Sequence, residues 1–312
     1  MASVLSATHL RKVFRGGLRR PPVVAVDDLS LEIESGEIFG FLGLNGAGKK
    51  TSVMMLLGCV RPSAGSATIH GIPVTHPASR RRVGFLPERF RFHEFLTATE
   101  LLRLHGRLSG MSASECDARV SETLEIVGLT HAASLPIRAF SKGMQQRIGL
   151  AQAIHPNPDL LILDEPTSAL DPLGRREVRD ILLRLKSQGR TVLLNSHLLS
   201  EVELCCDRVA IIHKGSVVRQ GALSELLAPA TRVEVRCDGL TPELRARIAE
   251  FATFEDVTPT RDDLFAVRVT DNDGVPRLAA TLVRGGAQIH GLIPKRETLE
   301  EYFVRVVEEQ GK

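Results

Sequence analysis

The residues with the clearest capacity for chemistry lie in the segment GLNGAGKKTS, which runs from Gly43 to Ser52. Its three glycines permit a backbone path that points successive N–H groups at phosphate oxygens. Lys49 can reach the β- and γ-phosphates of a nucleotide, and the N-terminus of a helix beginning there favours an anion. The segment is close to the phosphate-binding P-loop pattern, in which a serine or threonine follows the lysine. It predicts a nucleotide site formed by Gly43, Leu44, Asn45, Gly46, Ala47, Gly48, Lys49, Lys50 and Thr51.

A second candidate group is the carboxylate pair Asp164 and Glu165, which follows directly on the apolar run LLIL. Where a strand ends beside bound phosphates, we expect Asp164 to hold Mg²⁺, usually through water. Glu165 would then orient and deprotonate the attacking water. The alternative is an acidic turn after a strand, with no catalytic role.

Strands and helices must place these residues, and the apolar pattern predicts both. The runs EIFGFLG, DLLILDEP and RTVLLNSH are typical of buried parallel strands. The stretch GRREVRDILLRLKSQG has the apolar spacing of an amphipathic helix that closes with glycine. This alternation, from Val23 to Val218, predicts an α/β fold whose parallel sheet is covered on both faces. EIFGFLG and KKTSVMMLLGCV supply the strand before and the helix after the glycines that a P-loop requires.

The pattern changes after the string SELLAP. Strands are predicted at TRVEVRC, FEDVTPT, LFAVRVT and AQIHGLI, and helices at TPELRARIAEF, VPRLAATLVRGG and TLEEYFVRVVEE. The order βαββαβ plus a final helix predicts a small ferredoxin-like α+β domain. We therefore expect a nucleotide-binding domain over residues 1–228 and an accessory domain over residues 229–312.

Composition narrows the classes of function. The chain has 312 residues, of which 43% are hydrophobic and 25% charged, and its net charge is +3. Such a small positive charge gives no argument for a nucleic-acid partner. No apolar run approaches the ~18 residues that span a membrane. The five cysteines form no C-x-x-C pair, which favours a reducing compartment and argues against a metal cluster.

The string FSKGMQQR, which contains Ser141 and Gly143, resembles the signature LSGGQ of ABC-type ATPases. Other motifs follow in that family's order over residues 4–225. The resemblance implies that Phe14 stacks on adenine and that His197 contacts the γ-phosphate of ATP. It also implies that Asp171, in PTSALD, contacts a partner subunit. Ser141 and the backbone at Gly143 would bind the γ-phosphate held by the opposite subunit, at a helix N-terminus suited to an anion.

The family resemblance also implies partners and a place of action. Two such subunits, as a homodimer or a heterodimer, would sandwich two ATP molecules and drive an integral-membrane permease made by another chain. Coupling would run through PERFRFHEFLTATELLRLHG, and the protein would sit peripherally on the cytoplasmic face of the membrane. The C-terminal segment resembles the tails of exporter subunits, which implies outward transport.

Two rival functions remain beside this one. The first is a hydrolysis-deficient, ATP-gated partner in a heterodimer. The second is a soluble ABC protein that acts on ribosomes or DNA. The second is disfavoured because the chain has one ATPase domain and only about 90 residues between P-loop and signature.

Two residues depart from the family pattern. Lys50 replaces the P-loop hydroxyl that holds Mg²⁺, and Glu88 replaces the glutamine that approaches the metal. Thr51 should not take over, because adjacent helical side chains diverge by about 100° and Thr51 then points toward the α-phosphate. An ammonium at ~4 Å from a dication costs about 8 kcal/mol at an effective dielectric constant of about 20, before phosphate compensation.

Three interpretations of Lys50 follow. In the first, Lys50 turns away and Mg²⁺ is held weakly by Asp164, the phosphates and Glu88. In the second, the ammonium displaces the ion and pairs with Glu88 and phosphate. In the third, Lys50 is an engineered or sporadic change in an ordinary ATPase. We expect ATP binding to survive and Mg²⁺-dependent hydrolysis to be reduced.

Overall fold

The computed structural model describes residues 3–16, 21–168, 170–227, 231–255, 264–269, 273–295 and 297–310. The chain divides into two compact units, Met1–Gly221 and Ala222–Lys312. The boundary expected between residues 228 and 229 lies outside the described residues and stays a prediction.

The first unit is built on a ten-stranded sheet in the order β5-β4-β1-β2-β10-β9-β3-β8-β7-β6. Pairing is antiparallel from β5 to β2 and parallel in the β9-β3-β8-β7-β6 part. The strands are β1 (Ser3–Phe14), β2 (Val23–Glu34), β3 (Ile38–Gly43), β4 (Ala64–Ile69), β5 (Ile72–Pro73), β6 (Val83–Leu86), β7 (Leu160–Asp164), β8 (Thr191–Asn195), β9 (Arg208–His213) and β10 (Ser216–Ala222).

The three strands that were predicted from apolar runs form the centre of the parallel part. Every residue of β3, β7 and β8 is buried, as expected for strands covered on both faces. The β7–β8 register pairs Asp164 with Asn195, and β8 lies beside β3. The carboxyl ends of all three strands therefore meet at one edge of the sheet, and the predicted α/β fold is confirmed.

The described part of the first unit has six α-helices: α1 (Lys49–Leu56), α2 (Ala98–Leu108), α3 (Ala113–Ile126), α4 (Lys142–Ile154), α5 (Pro172–Ser187) and α6 (Leu199–Cys205). Capping boxes fix the starts of α2 and α3, where Thr97 pairs with Glu100 and Ser112 with Glu115. Helices α2, α3 and α4 pack on one another, which gives the helical subdomain that carries the signature string.

The second unit holds a four-stranded antiparallel sheet in the order β12-β13-β11-β14. Its elements are α7 (Leu223–Leu226), β11 (Thr231–Asp238), α8 (Pro242–Ala249), β12 (Ala252–Glu255), β13 (Leu264–Val269), α9 (Gly274–Arg284), β14 (Gln288–Lys295) and α10 (Leu299–Glu309). From β11 onward this is the predicted order βαββαβ plus a helix. Residues 256–260 of the strand predicted at FEDVTPT lie outside the described residues. Across the described ranges, no helix is long and apolar enough to cross a membrane.

Candidate nucleotide-binding site

A cleft of about 470 Å³ opens at the edge where β3, β7 and β8 end. Its volume falls in the range of about 300–1,000 Å³ that is usual for small-molecule sites. The residues that line it come from β2, the glycine-rich loop, the start of α1 and the ends of the parallel strands. They are Val23, Val24, Ala25, Leu44, Asn45, Gly46, Gly48, Lys49, Lys50, Thr51, Glu88, Asp164, Glu165, Ser168, Asn195 and His197.

The glycine-rich loop joins β3 to α1 and presents the helix N-terminus to the cleft. Gly48, which precedes α1, has φ = +104°, and a Cβ there would lie 2.4 Å from the carbonyl oxygen of Ala25. Only glycine fits this conformation and this close approach. No side chain caps α1, and its first turn contains no acidic residue. The helix N-terminus is therefore free to receive an anion, as the P-loop pattern predicts.

Lys49 is buried at the base of this loop. Its Nζ donates to the carbonyl oxygens of Gly43 at 2.5 Å and of Leu44 at 3.3 Å. Burial lowers the pKa of Lys49, while the carboxylates of Glu165 and Asp164 oppose that shift. The ammonium is thus held by neutral carbonyls, which an anionic phosphate can replace with a stronger, charge-assisted partner.

Asp164 and Asn195 pair across the ends of β7 and β8. The Asn195 amide donates to a carboxylate oxygen of Asp164. Burial raises the pKa of Asp164, and the nearby Glu88 carboxylate raises it further. The Asn195 hydrogen bond and the Lys50 ammonium lower this pKa and so oppose the shift. The four side chains therefore form one interacting group of charges and dipoles at the mouth of the cleft.

Glu165 and His197 form the second pair at this edge. His197 Nδ1 lies 2.7 Å from Glu165 Oε2, and the Glu165 backbone N–H donates to the Asn195 carbonyl at 2.8 Å. Glu165 has φ = +55°, a left-handed conformation that costs a non-glycine residue roughly 1–3 kcal/mol. A carboxylate held in this way, with an imidazole as its neighbour, can orient a water molecule and accept its proton.

Lys50 pairs with Glu88 at the cleft. The Lys50 Nζ lies 3.5 Å from Glu88 Oε2, and the lysine side chain is 67% exposed. Mg²⁺ at such sites is normally held by one or two carboxylates together with phosphate oxygens and water. Of the two carboxylates predicted for the metal, Glu88 carries an ammonium partner and Asp164 is bound by Asn195. The donor set does not fit a Mg²⁺ ion of this usual kind, and among described residues no cluster of three or more His, Cys, Asp or Glu compensates.

Three residues predicted to bind the nucleotide in this chain's own site do not line the cleft: Phe14, Gly43 and Ala47. Phe14 is 43% exposed, pairs with Val23 across β1 and β2, and has Lys12 Nζ at 5.0 Å from its ring centre. The Gly43 carbonyl oxygen accepts a hydrogen bond from the Lys49 ammonium, and Ala47 is buried within the loop.

The residues expected to act on a partner subunit also lie outside the cleft. Ser141 caps α4 by accepting from the Met144 N–H, and Asp171 caps α5 by accepting from the Gly174 N–H at 2.8 Å. Gly143 lies in the first turn of α4, and a Cβ added there would have Leu170 at 3.9 Å as its one neighbour within 4 Å among the described residues. The start of α4 therefore presents a second helix N-terminus that this chain's own cleft does not use.

Five residues that line the cleft were not predicted: Val23, Val24, Ala25, Ser168 and Asn195. Asn195 could have been found, because it ends the predicted strand RTVLLN beside the strand that ends in Asp164. Val23, Val24 and Ala25 carry no chemical signal in the sequence, and their position follows from the pairing of β2.

A P-loop between a buried strand and a helix, two carboxylates at the end of β7 and a carboxylate–imidazole pair define a P-loop ATPase. Comparison with known proteins gives the family. The sequence profile described as ABC transporter matches residues 26–168. An uncharacterised ABC transporter ATP-binding protein of Synechocystis sp. is 38% identical over 99% of this chain and 86% of that protein. The chain belongs to the ABC transporter ATP-binding proteins and is an ATPase of the ABC type.

Two further relatives are transport proteins with named substrates. The Nod factor export ATP-binding protein I of Cupriavidus metallidurans is 34% identical over 98% of both chains. The bacitracin transport ATP-binding protein of Bacillus licheniformis is 33% identical, again over 98% of both.

Solved structures agree with this assignment. The ATP-binding subunit of an ABC transporter has a TM-score of 0.63 at 31% identity, covering 72% of this chain and 91% of that one. A dimeric post-hydrolysis ATP-binding cassette with ADP and phosphate also has a TM-score of 0.63, at 26% identity, covering 70% of this chain and 98% of that one.

Proposed function

We propose that this chain is the ATP-binding and hydrolysing subunit of an ABC export system, and that it works as a dimer. The observation that carries the proposal is the separation of two phosphate-binding helix ends. One lies at the start of α1 in the cleft, and the other, at Ser141 and Gly143, lies outside it. A second subunit would bring its own α4 to the ATP held in this cleft. Family membership and export-type relatives support the same arrangement.

In the proposed reaction, the loop N–H groups and Lys49 hold the phosphates. Glu165 takes a proton from the water that attacks the γ-phosphate, and His197 holds that carboxylate and contacts the phosphate. Asp171, which caps α5, faces the partner subunit, and Phe14 stacks on adenine. Closure on ATP and opening after hydrolysis would supply the movement that drives transport.

The permease would dock on the segment 87–106, which contains Glu88. Phe90 and Phe92 in this segment are half-buried, their tilted rings have centres 4.9 Å apart, and both line a small hollow of about 130 Å³. Phe95 in the same segment is 71% exposed. Aromatic side chains at the surface are enriched in protein contacts. This docking would place the protein peripherally on the cytoplasmic face of the membrane, with no nucleic-acid partner.

One observation favours a second candidate function. Lys50 pairs at 3.5 Å with Glu88, one of the two carboxylates predicted to hold the metal. A site that binds ATP and hydrolyses it very slowly could still serve as the gating partner in a heterodimer whose other subunit hydrolyses.

The proposal is tested by the assembly state of the purified chain, measured by sedimentation velocity with and without ATP, both in Mg²⁺ and in EDTA. We expect ATP to shift the protein toward a dimer and Glu165→Gln to make the dimer persist. Ser141→Arg should abolish the dimer while the isolated subunit still binds ATP in its own cleft, because Ser141 does not line that cleft. ATP binding without any dimer in any of these conditions would refute the dimer mechanism.

Two further measurements test the gating-partner candidate and the docking segment separately. Steady hydrolysis by the isolated chain, counted as phosphate release per site, would exclude the gating-partner candidate. Phe95→Asp should lower the membrane-bound fraction of the protein in its own cells while ATP-driven dimerisation stays unchanged. An unaltered membrane fraction would contradict docking at this segment.

A further inference from the structure

The charges around the cleft differ from those of a site built for a metal–nucleotide complex. Two ammonium groups, Lys49 and Lys50, face the same space as Glu88, Asp164 and Glu165. Lys50 stands at the loop position where the usual P-loop pattern has a metal-binding serine or threonine, and Lys49 directly precedes it. The first turn of α1 contains both lysines and no acidic residue, and the three carboxylates of the cleft come from other segments of the chain.

Lys50 is placed to bridge phosphate and carboxylate. Its Nζ lies 3.5 Å from Glu88 Oε2, and its electrostatic effect reaches Asp164 as well. The side chain is long, largely exposed and anchored at the second residue of α1, so its ammonium can meet a triphosphate bound at the helix N-terminus. A metal ion normally stands between the phosphates and the carboxylates of such a site, and the Lys50 ammonium lies beside Glu88, one of the two carboxylates predicted to hold that ion.

We propose that the nucleotide this cleft takes is metal-free ATP, with the Lys50 ammonium in the role of the divalent cation. The proposal rests on the proposed function only in assuming that the cleft binds ATP. Free ATP carries more negative charge than its magnesium complex, and two lysines complement that charge. A divalent ion bound to the phosphates would repel Lys50 and compete with it for Glu88.

The test compares ATP affinity in EDTA and in excess Mg²⁺ for the full chain, by isothermal titration calorimetry. For the natural sequence we expect affinity in EDTA at least equal to that in Mg²⁺. Lys50→Thr restores the hydroxyl of the usual loop and should reverse the preference, binding about tenfold or more tightly with Mg²⁺ than without. Lys50→Met is the matched control, because it keeps the chain length and removes the charge; it should lose about tenfold in EDTA.

A second readout detects the metal directly. Mn²⁺ added with ATP should give a protein-bound electron paramagnetic resonance signal in Lys50→Thr and none in the natural sequence. Because Lys50 is exposed, its variants should fold, which thermal unfolding by circular dichroism checks.

The outcomes separate this inference from the proposed function. ATP binding that requires Mg²⁺ in the natural sequence, or bound Mn²⁺ in the presence of Lys50, would overturn metal-free binding and leave the ABC mechanism standing. No ATP binding with or without metal, in the natural sequence and in Lys50→Thr, would overturn both.

Discussion

Acid should destabilise this protein through one buried histidine in the helical subdomain. His155 ends α4 with no solvent exposure, and its Nδ1 lies 3.1 Å from Thr123 Oγ1 on α3. Its Nε2 is buried, has no hydrogen-bond partner among the residues that the structure describes, and faces Gly106 on α2, where a Cβ would lie 2.9 Å away. A proton on Nε2 would therefore place an unpaired charge in a tightly packed interior.

The size of the effect follows from the pKa of His155. Burial, followed by the charges of Arg119 and His105, lowers this pKa from 6.5 to about 4. The unfolded chain takes up a proton as the pH falls below 6.5, whereas the folded chain does so only near pH 4. The contribution of neutral His155 to the free energy of unfolding is therefore complete above pH 6.5 and is lost as the pH falls through this interval. At about 1.4 kcal/mol per pKa unit, the loss is about 2 kcal/mol at about pH 5 and about 3 kcal/mol near pH 4.

The assay is urea unfolding across this pH interval for the natural sequence and for His155→Gln, which cannot titrate. The free energy of unfolding of the variant should fall less with pH, and the difference between the two slopes gives the His155 contribution. Parallel curves would refute the reasoning. If the variant is too unstable to compare, the nuclear magnetic resonance titration of the His155 ring in the natural sequence decides, since a transition near pH 6.5 would contradict it as well.

Three other perturbations test separate parts of the structure. Glu165→Gln should lower the rate of phosphate release about a hundredfold or more while ATP still binds, because it removes the proposed general base; an unchanged rate would assign that role elsewhere. Gly48→Ala should weaken ATP binding measured by calorimetry, because its Cβ would lie 2.4 Å from the Ala25 carbonyl at φ = +104°, and unchanged affinity would contradict that geometry. Leu278→Ala, at a fully buried position on α9, should lower the free energy of unfolding of the second unit by about 2–5 kcal/mol. Val283→Ala on the exposed side of the same helix should change it by about 0.5 kcal/mol or less, and equal effects would contradict the assigned core.

The sequence predicts those parts of the fold that depend on a local pattern of apolar residues or glycines. The apolar runs of β3, β7 and β8 are fully buried, and the glycine loop lies between a strand and a helix as its spacing indicates. The antiparallel part formed by β1, β2 and β4 was not predicted, because these strands alternate between buried and exposed residues and pair across distant segments. The same long-range pairing brings Val23 to the cleft, which no local signal indicates.

Side-chain contacts across neighbouring strands depend on register, which single residues do not encode. The sequence predicts roles for Glu165 and His197 separately, but their 2.7 Å contact follows only once β7 and β8 are known to be adjacent. The Lys50–Glu88 pair was one of three interpretations, and the geometry favours it because both side chains reach the same cleft.

The Glu165–His197 pair limits what Lys50 can mean for function. A site that had lost its role in hydrolysis would have no need to hold Glu165 in a left-handed conformation beside an imidazole, since that conformation costs free energy. In the proposed mechanism, phosphate binding and proton transfer use different residues, so an ammonium in the loop can change the form of ATP that binds and leave the proposed general base in place. Without a metal to stabilise charge on the phosphates, hydrolysis should be slow and the ATP-closed dimer long-lived. The lifetime of that dimer in the natural sequence, compared with Lys50→Thr in Mg²⁺, therefore measures how much of the cycle Lys50 controls, and equal lifetimes would show that it controls none.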